Sequence, residues 1–128
     1  MAKVIKLKDN TYLYGTIIEK GSNANGVYEK YSDGRLIQYG TVEATNKNYQ
    51  SSFGNFKYNG ITNWIYPIEF YETPKIVNIT MLIEGYLGGC TIADKTNTRT
   101  AFYIYTPAAA DLTNKAVTAQ CIAIGKWK

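Results

Sequence analysis

Apolar and polar positions alternate along most of this chain with a period of two. No window repeats apolar residues at the three-and-four spacing of a helix. The pattern predicts strands almost throughout. KVIKLK (3–8) and TYLYGTIIEK (11–20) read as extended segments separated by the turn pair Asp9-Asn10. The stretch GSNANG (21–26) has the composition of a hinge, so residues 1–26 are expected to form a short N-terminal extended segment. Residues 27–128 are expected to form the main domain.

Just past that hinge, YSDGRLIQYG (31–40) predicts a hairpin. Val27–Tyr31 runs out, Ser32-Asp33-Gly34 turns with Gly34 at positive φ, and residues 35–45 return. In the return strand Leu36, Gln38, Gly40 and Val42 share one face, while Ile37, Tyr39, Thr41 and Glu43 share the other. Residues 46–60 have no period and hold four aromatics among Asn, Ser and Gly. They predict an aromatic loop, either a ligand surface or a lobe packed over one end of a sandwich.

Further on, Trp64, Tyr66, Ile68 and Phe70 alternate, a Thr-Pro pair interrupts, and Val77, Ile79, Met81 and Ile83 alternate again. The pattern predicts two core strands joined at a corner, the first at an edge or bulged at Pro67. Short strands follow near residues 90–93 and 98–106, with Phe102 and Ile104 on one face and Tyr103 and Tyr105 on the other. The final run places Ala119, Cys121, Ala123 and Gly125 on one face, which predicts a central strand or a subunit contact.

At 128 residues the chain suits a single core. Its 12 tyrosines, with Asn and Gly crowding the gaps between runs, match the vocabulary of an all-β antiparallel sandwich or barrel. The formal charge of +4 comes from scattered Lys, with neither a basic stripe nor an RNA-binding motif, so no nucleic-acid partner is expected. No apolar run reaches the ~18 residues of a membrane span and no secretion signal opens the chain. No membrane insertion is expected, and synthesis without a signal peptide points to the cytoplasm.

Chemistry narrows the picture further. With no His in the sequence, the usual general base, metal ligand and triad member is missing. The ten acids stand singly, mostly beside turns, and GYLGG (85–89) lacks the helix and the Lys of a phosphate loop. No enzyme, cofactor or metal site is therefore expected. Cys90 and Cys121 have no metal-binding spacing and read as small buried residues rather than a disulfide. What remains is Tyr, Asn, Thr and Gly on strand faces and loops, the chemistry that packs against a sugar ring and satisfies its hydroxyls.

In combination, YSDGRLIQYG, YPIEFYETPKIVNIT and the CIAIGKW ending resemble the C-terminal domain of bacteriophage tail fibres and related prophage proteins. The later part is similar to the H-type lectins. The resemblance runs from about residue 27 to the C-terminus. It implies a lectin-like β-sandwich that assembles as a homotrimer at the fibre tip of a virion, beside other tail fibre or baseplate proteins, and touches host cell-surface polysaccharide. Tyr105 falls where the lectins carry a sugar-binding aromatic. EGYLGGC is shortened relative to the lectins' Arg-bearing strand and no Asp aligns with theirs, so the lectins' sugar preference is not carried over; Tyr66 before Pro67 replaces the usual Phe, a conservative departure. Tyr105, Tyr103, Arg99, Asp94 and Tyr86 are the candidate ligand-binding residues. The other reading is a structural cap that trimerises the fibre without a ligand of its own.

Overall fold

The computed structural model describes residues 15–128, together with the backbone of two short antiparallel strands, β1 (Ile5–Lys6) and β2 (Tyr12–Leu13). The turn pair Asp9-Asn10 and the rest of the sequence before residue 15 lie outside the described residues. Ten further strands follow: β3 (Ile17–Asn23), β4 (Gly26–Tyr31), β5 (Arg35–Glu43), β6 (Ser51–Phe53), β7 (Phe56–Tyr58), β8 (Thr62–Ile65), β9 (Ile76–Ile83), β10 (Gly89–Lys95), β11 (Arg99–Pro107) and β12 (Val117–Lys126). They pair antiparallel into two sheets of five strands. The first runs β3-β4-β5-β12-β9. The second runs β10-β11-β7-β6, with β8 also paired to β11.

GSNANG is not a hinge. Ser22 pairs with Val27 and Asn23 with Gly26, so Ala24-Asn25 is the turn of a hairpin whose two strands extend the first sheet. The same Gly, Ser and Asn that loosen a linker also close a tight turn, and composition alone does not separate the two. The second hairpin forms as the sequence predicts. Gly34 takes a φ of 95° and its N–H donates to the Tyr31 carbonyl at 3.0 Å. Asp33 accepts from the Arg35 N–H at 3.0 Å, and this bond, followed by the guanidinium, holds its carboxyl below the usual range. The C-terminus closes over this turn, with the Trp127 indole N–H donating to the Tyr31 carbonyl at 2.8 Å.

The core lies between the sheets. Leu36 of β5, Val117, Ala119, Cys121 and Ala123 of β12, and Phe102 and Ile104 of β11 are all buried. Small residues on β12 leave room for Trp64, Tyr66 and Phe70, which meet edge to face at 5.1 and 4.9 Å between centroids. A side chain at Gly125 would begin 2.9 Å from the Phe70 ring. The last strand is thus central, as its small residues allowed.

The segment after Trp64 is not the strand that its alternation predicts. β8 stops at Ile65, and residues 66–75 run between the sheets without a ladder. Their backbone groups are met individually. The Gln38 amide donates to the Ile68 carbonyl and accepts from the Ile68 N–H, both at 2.8 Å. Asn23 donates to the Pro67 carbonyl at 2.7 Å, and the N–H groups of Tyr66 and Phe70 reach the carbonyls of Thr98 and Asn97. Pro67, which has no N–H, suits a path that has no ladder to complete.

Residues 51–58, expected as loop, form the β6–β7 hairpin against β11. Both cysteines are free, and the two belong to different sheets. Burial, and to a lesser degree Cys90, pushes the Cys121 thiol up to about 12 from its usual 9.0. Burial likewise carries the Tyr49 phenol to about 12 from 10.0. Between these values the folded protein keeps protons that the unfolded chain releases, so stability falls as pH rises. Its full value holds below pH 9. Urea unfolding is expected to show about 1 kcal/mol lost by pH 10, and a flat profile from pH 8 to 10.5 would contradict these burials.

Candidate aromatic binding groove

Alternation along β11 sends Phe102, Ile104 and Thr106 into the core and leaves Tyr103 and Tyr105 on the outer face of the second sheet. On one side Tyr105 pairs with Tyr58 of β7; on the other, Thr91 of β10 pairs with Tyr103 and Gly89 with Tyr105. The β6–β7 turn, Gly54-Asn55, brings Phe53 opposite Phe56 on this same face. Gly54 adopts the positive φ, 58°, that a two-residue hairpin turn needs.

These side chains line an open groove of about 530 Å³, bounded by Phe53, Phe56, Tyr58, Thr91, Tyr103 and Tyr105. That size falls in the range of small-ligand sites. Two edge-to-face pairs give it order: Phe56 with Tyr105 at 5.4 Å, and Tyr58 with Tyr103 at 5.5 Å. Such contacts fix ring orientation at little conformational cost. Phe53 stands at the rim with 76% of its surface exposed.

Glycine shapes the floor. The Tyr105 ring lies across Gly89, where an added Cβ would sit 2.9 Å from the phenol oxygen. Asn59 completes the support beneath. Its side chain donates to Thr62 at 2.8 Å and accepts from the Ile104 N–H at 3.4 Å. It therefore bridges the point where β11 exchanges its neighbour β7 for β8.

Of the residues singled out from sequence, the structure brings Tyr103 and Tyr105 together in this groove. It places the others elsewhere. Asp94 and Arg99 form an ion pair at 3.6 Å at the far end of β10 and β11, beyond a bulge between Ile92 and Asp94. Arg99 is also held by Asn63 of β8 at 3.5 Å. Tyr86 sits in the turn between β9 and β10, its N–H on the Ile83 carbonyl, and does not line the groove. Phe53, Phe56 and Tyr58 belong to the 46–60 stretch expected as a possible ligand surface, though none was singled out, and Thr91 was not among the candidates. The signal for the three aromatics is SF-GN-FKY, in which they flank a two-residue turn at positions that share one face.

Tyr49, from the same aromatic stretch, is buried and donates to the Ala44 carbonyl at 2.8 Å. The stretch 46–60 thus supplies both a groove-lining surface and a packed lobe. The outer face of the first sheet is open as well. Ile76, Leu82, Tyr39 and Ile122 are exposed there around Asn78, Thr80, Gln120 and Thr41. Among the described residues, no three His, Cys, Asp or Glu side chains gather as metal ligands.

No protein-family model matches the chain. No curated protein matches it either. Among solved structures, its fold is similar to the P. aeruginosa R1 pyocin fibre comprising C-terminal residues 323–701, with a TM-score of 0.55 and 17% identity. The likeness covers 86% of this chain and 29% of that one, so this chain spans under a third of the fibre fragment that it matches.

Proposed function

We propose that this chain is the receptor-binding tip of a tail fibre and that it attaches by its aromatic groove to carbohydrate on the host surface. The observation that carries the reading is the aromatic cluster on one face of the second sheet, with Phe53 and Phe56 exposed and Tyr58, Tyr103 and Tyr105 half-buried around an open groove. Ring surface left open to solvent is surface that a sugar ring covers with its C–H side. The phenols and the Thr91 hydroxyl supply partners for its hydroxyl groups. The fold shared with a pyocin fibre fragment supports a fibre role. The groove's lining holds no carboxylate, imidazole or thiol, which favours binding over catalysis.

The tip is a homotrimer in this reading, joined to other fibre or baseplate proteins and carried on the virion. The apolar positions on the open face of the first sheet support self-association, because closed cyclic assembly would cover them. Light scattering of the purified chain at micromolar concentration is expected to give three times the 14.4 kDa chain mass; a monomer would contradict the assembly. Those same positions also fit a structural cap with no ligand. Purified protein should label host cells and be displaced by extracted wall polysaccharide, whereas a cap would leave cells unlabelled.

A further inference from the structure

The groove's chemistry narrows what it can hold. Its six lining residues are five aromatics and one threonine, with no charged side chain among them. Lys57 lies between Phe56 and Tyr58 in β7, so alternation turns it to the opposite face. Arg99 is four residues from Tyr103 on β11, roughly 13 Å along the strand, and is held by Asp94 and Asn63. An anionic sugar would surrender hydration over this floor without meeting a cation in return. A neutral sugar loses little, since its ring face is apolar and its hydroxyls sit at the level of the phenols.

The second observation is length. The Tyr58–Tyr103 and Phe56–Tyr105 pairs lie in successive rows along β11, with Tyr103 and Tyr105 roughly 7 Å apart in the strand direction. One pyranose can cover one pair. A chain of two or more can cover both. Building on the carbohydrate reading, we infer that the groove takes an uncharged oligosaccharide of at least two units laid along β11, in preference to a charged glycan or a single terminal sugar.

The test is a glycan array carrying neutral, N-acetylated, sialylated, uronate-bearing and sulfated glycans in lengths of one to six units, probed with the full chain. Neutral glycans should bind, with affinity rising at least tenfold from one unit to two or three. Tyr103→Ala should abolish that rise. Thr91→Trp, which fills the trough from an exposed edge position and removes no aromatic, should abolish binding with an unchanged melting temperature. Charged glycans bound in a way that Thr91→Trp destroys would overturn the inference and leave the carbohydrate reading standing; so would single sugars bound as tightly as longer chains. Binding of no glycan, or binding indifferent to both substitutions, would overturn the carbohydrate reading itself. A change in oligomeric mass on Thr91→Trp would make the groove a subunit contact and overturn both.

Discussion

Tyr105→Ala is expected to weaken binding to host polysaccharide by about 2 kcal/mol, roughly 30-fold, while the protein remains folded. The ring is held at both ends. Its edge contact with Phe56 and its seat over Gly89 fix the ring before any ligand arrives, so little ordering should be lost when a ligand covers it. Removing it takes away both a contact surface and the partner that orients Phe56. The fold should tolerate the loss, because the Tyr105 side chain lies on the outer face while its neighbours Ile104 and Thr106 fill the core. About 1 kcal/mol of stability goes with the lost aromatic contact. Tyr105→Phe, which keeps the ring, should lose only a small part of the affinity. Titration of both variants against extracted polysaccharide checks this, and an unchanged affinity in Tyr105→Ala would remove the groove from the binding account.

Gln38→Ala should have the largest effect on stability, about 3 kcal/mol, or a melting temperature about 10 °C lower. Gln38 is fully buried, and its amide meets both backbone groups of Ile68. The substitution leaves that N–H and carbonyl without partners and opens a cavity under the 66–75 segment. Gln38→Met separates the two causes. It restores the volume without the hydrogen bonds and should remain nearly as unstable as Gln38→Ala if the polar clamp dominates. A Gln38→Met protein as stable as the parent would show that packing alone holds the segment. Phe70 rides on this segment into the core, so its loosening should broaden the unfolding transition as well as lower it.

The fate of that segment shows where sequence reading ends. Trp64, Tyr66, Ile68 and Phe70 alternate as a strand would, and Trp64, Tyr66 and Phe70 are buried. What the alternation does not reveal is where the backbone hydrogen bonds go. The partners are Gln38 and Asn23, 30 and 44 residues distant, and a side chain from another sheet leaves no mark in a local pattern. Local rules did well where both partners are local. The YSDGRLIQYG hairpin, the division of β11 into two faces and the alternation of β9 all follow from turn chemistry and a period of two.

They did less well where one composition serves two structures. GSNANG reads equally as a linker and as a hairpin tip, and only the pairing of β3 with β4 decides. The groove was half legible. Tyr103 and Tyr105 could be placed on one face together from β11 alone, and the structure shows that face to be the outer one. Their companions come from β6, β7 and β10, and only the sheet order β10-β11-β7-β6 puts Phe53, Phe56, Tyr58 and Thr91 beside them. Asp94 and Arg99 flank the same strands, yet their ion pair sits at the opposite end of the ladder. Nearness in sequence to a site is no guide to the face or the end of a strand on which a side chain stands.

The central claim is that carbohydrate is held on the outer face of the second sheet, over Tyr103 and Tyr105. It is tested most directly by a crystal structure of the protein soaked with fragments of host polysaccharide. A sugar ring is expected to stack on the Tyr105 and Tyr103 side of the groove, with its hydroxyls meeting phenol oxygens. Sugar bound at another surface while this groove stays empty, or the groove covered by a second copy of the chain, would contradict it.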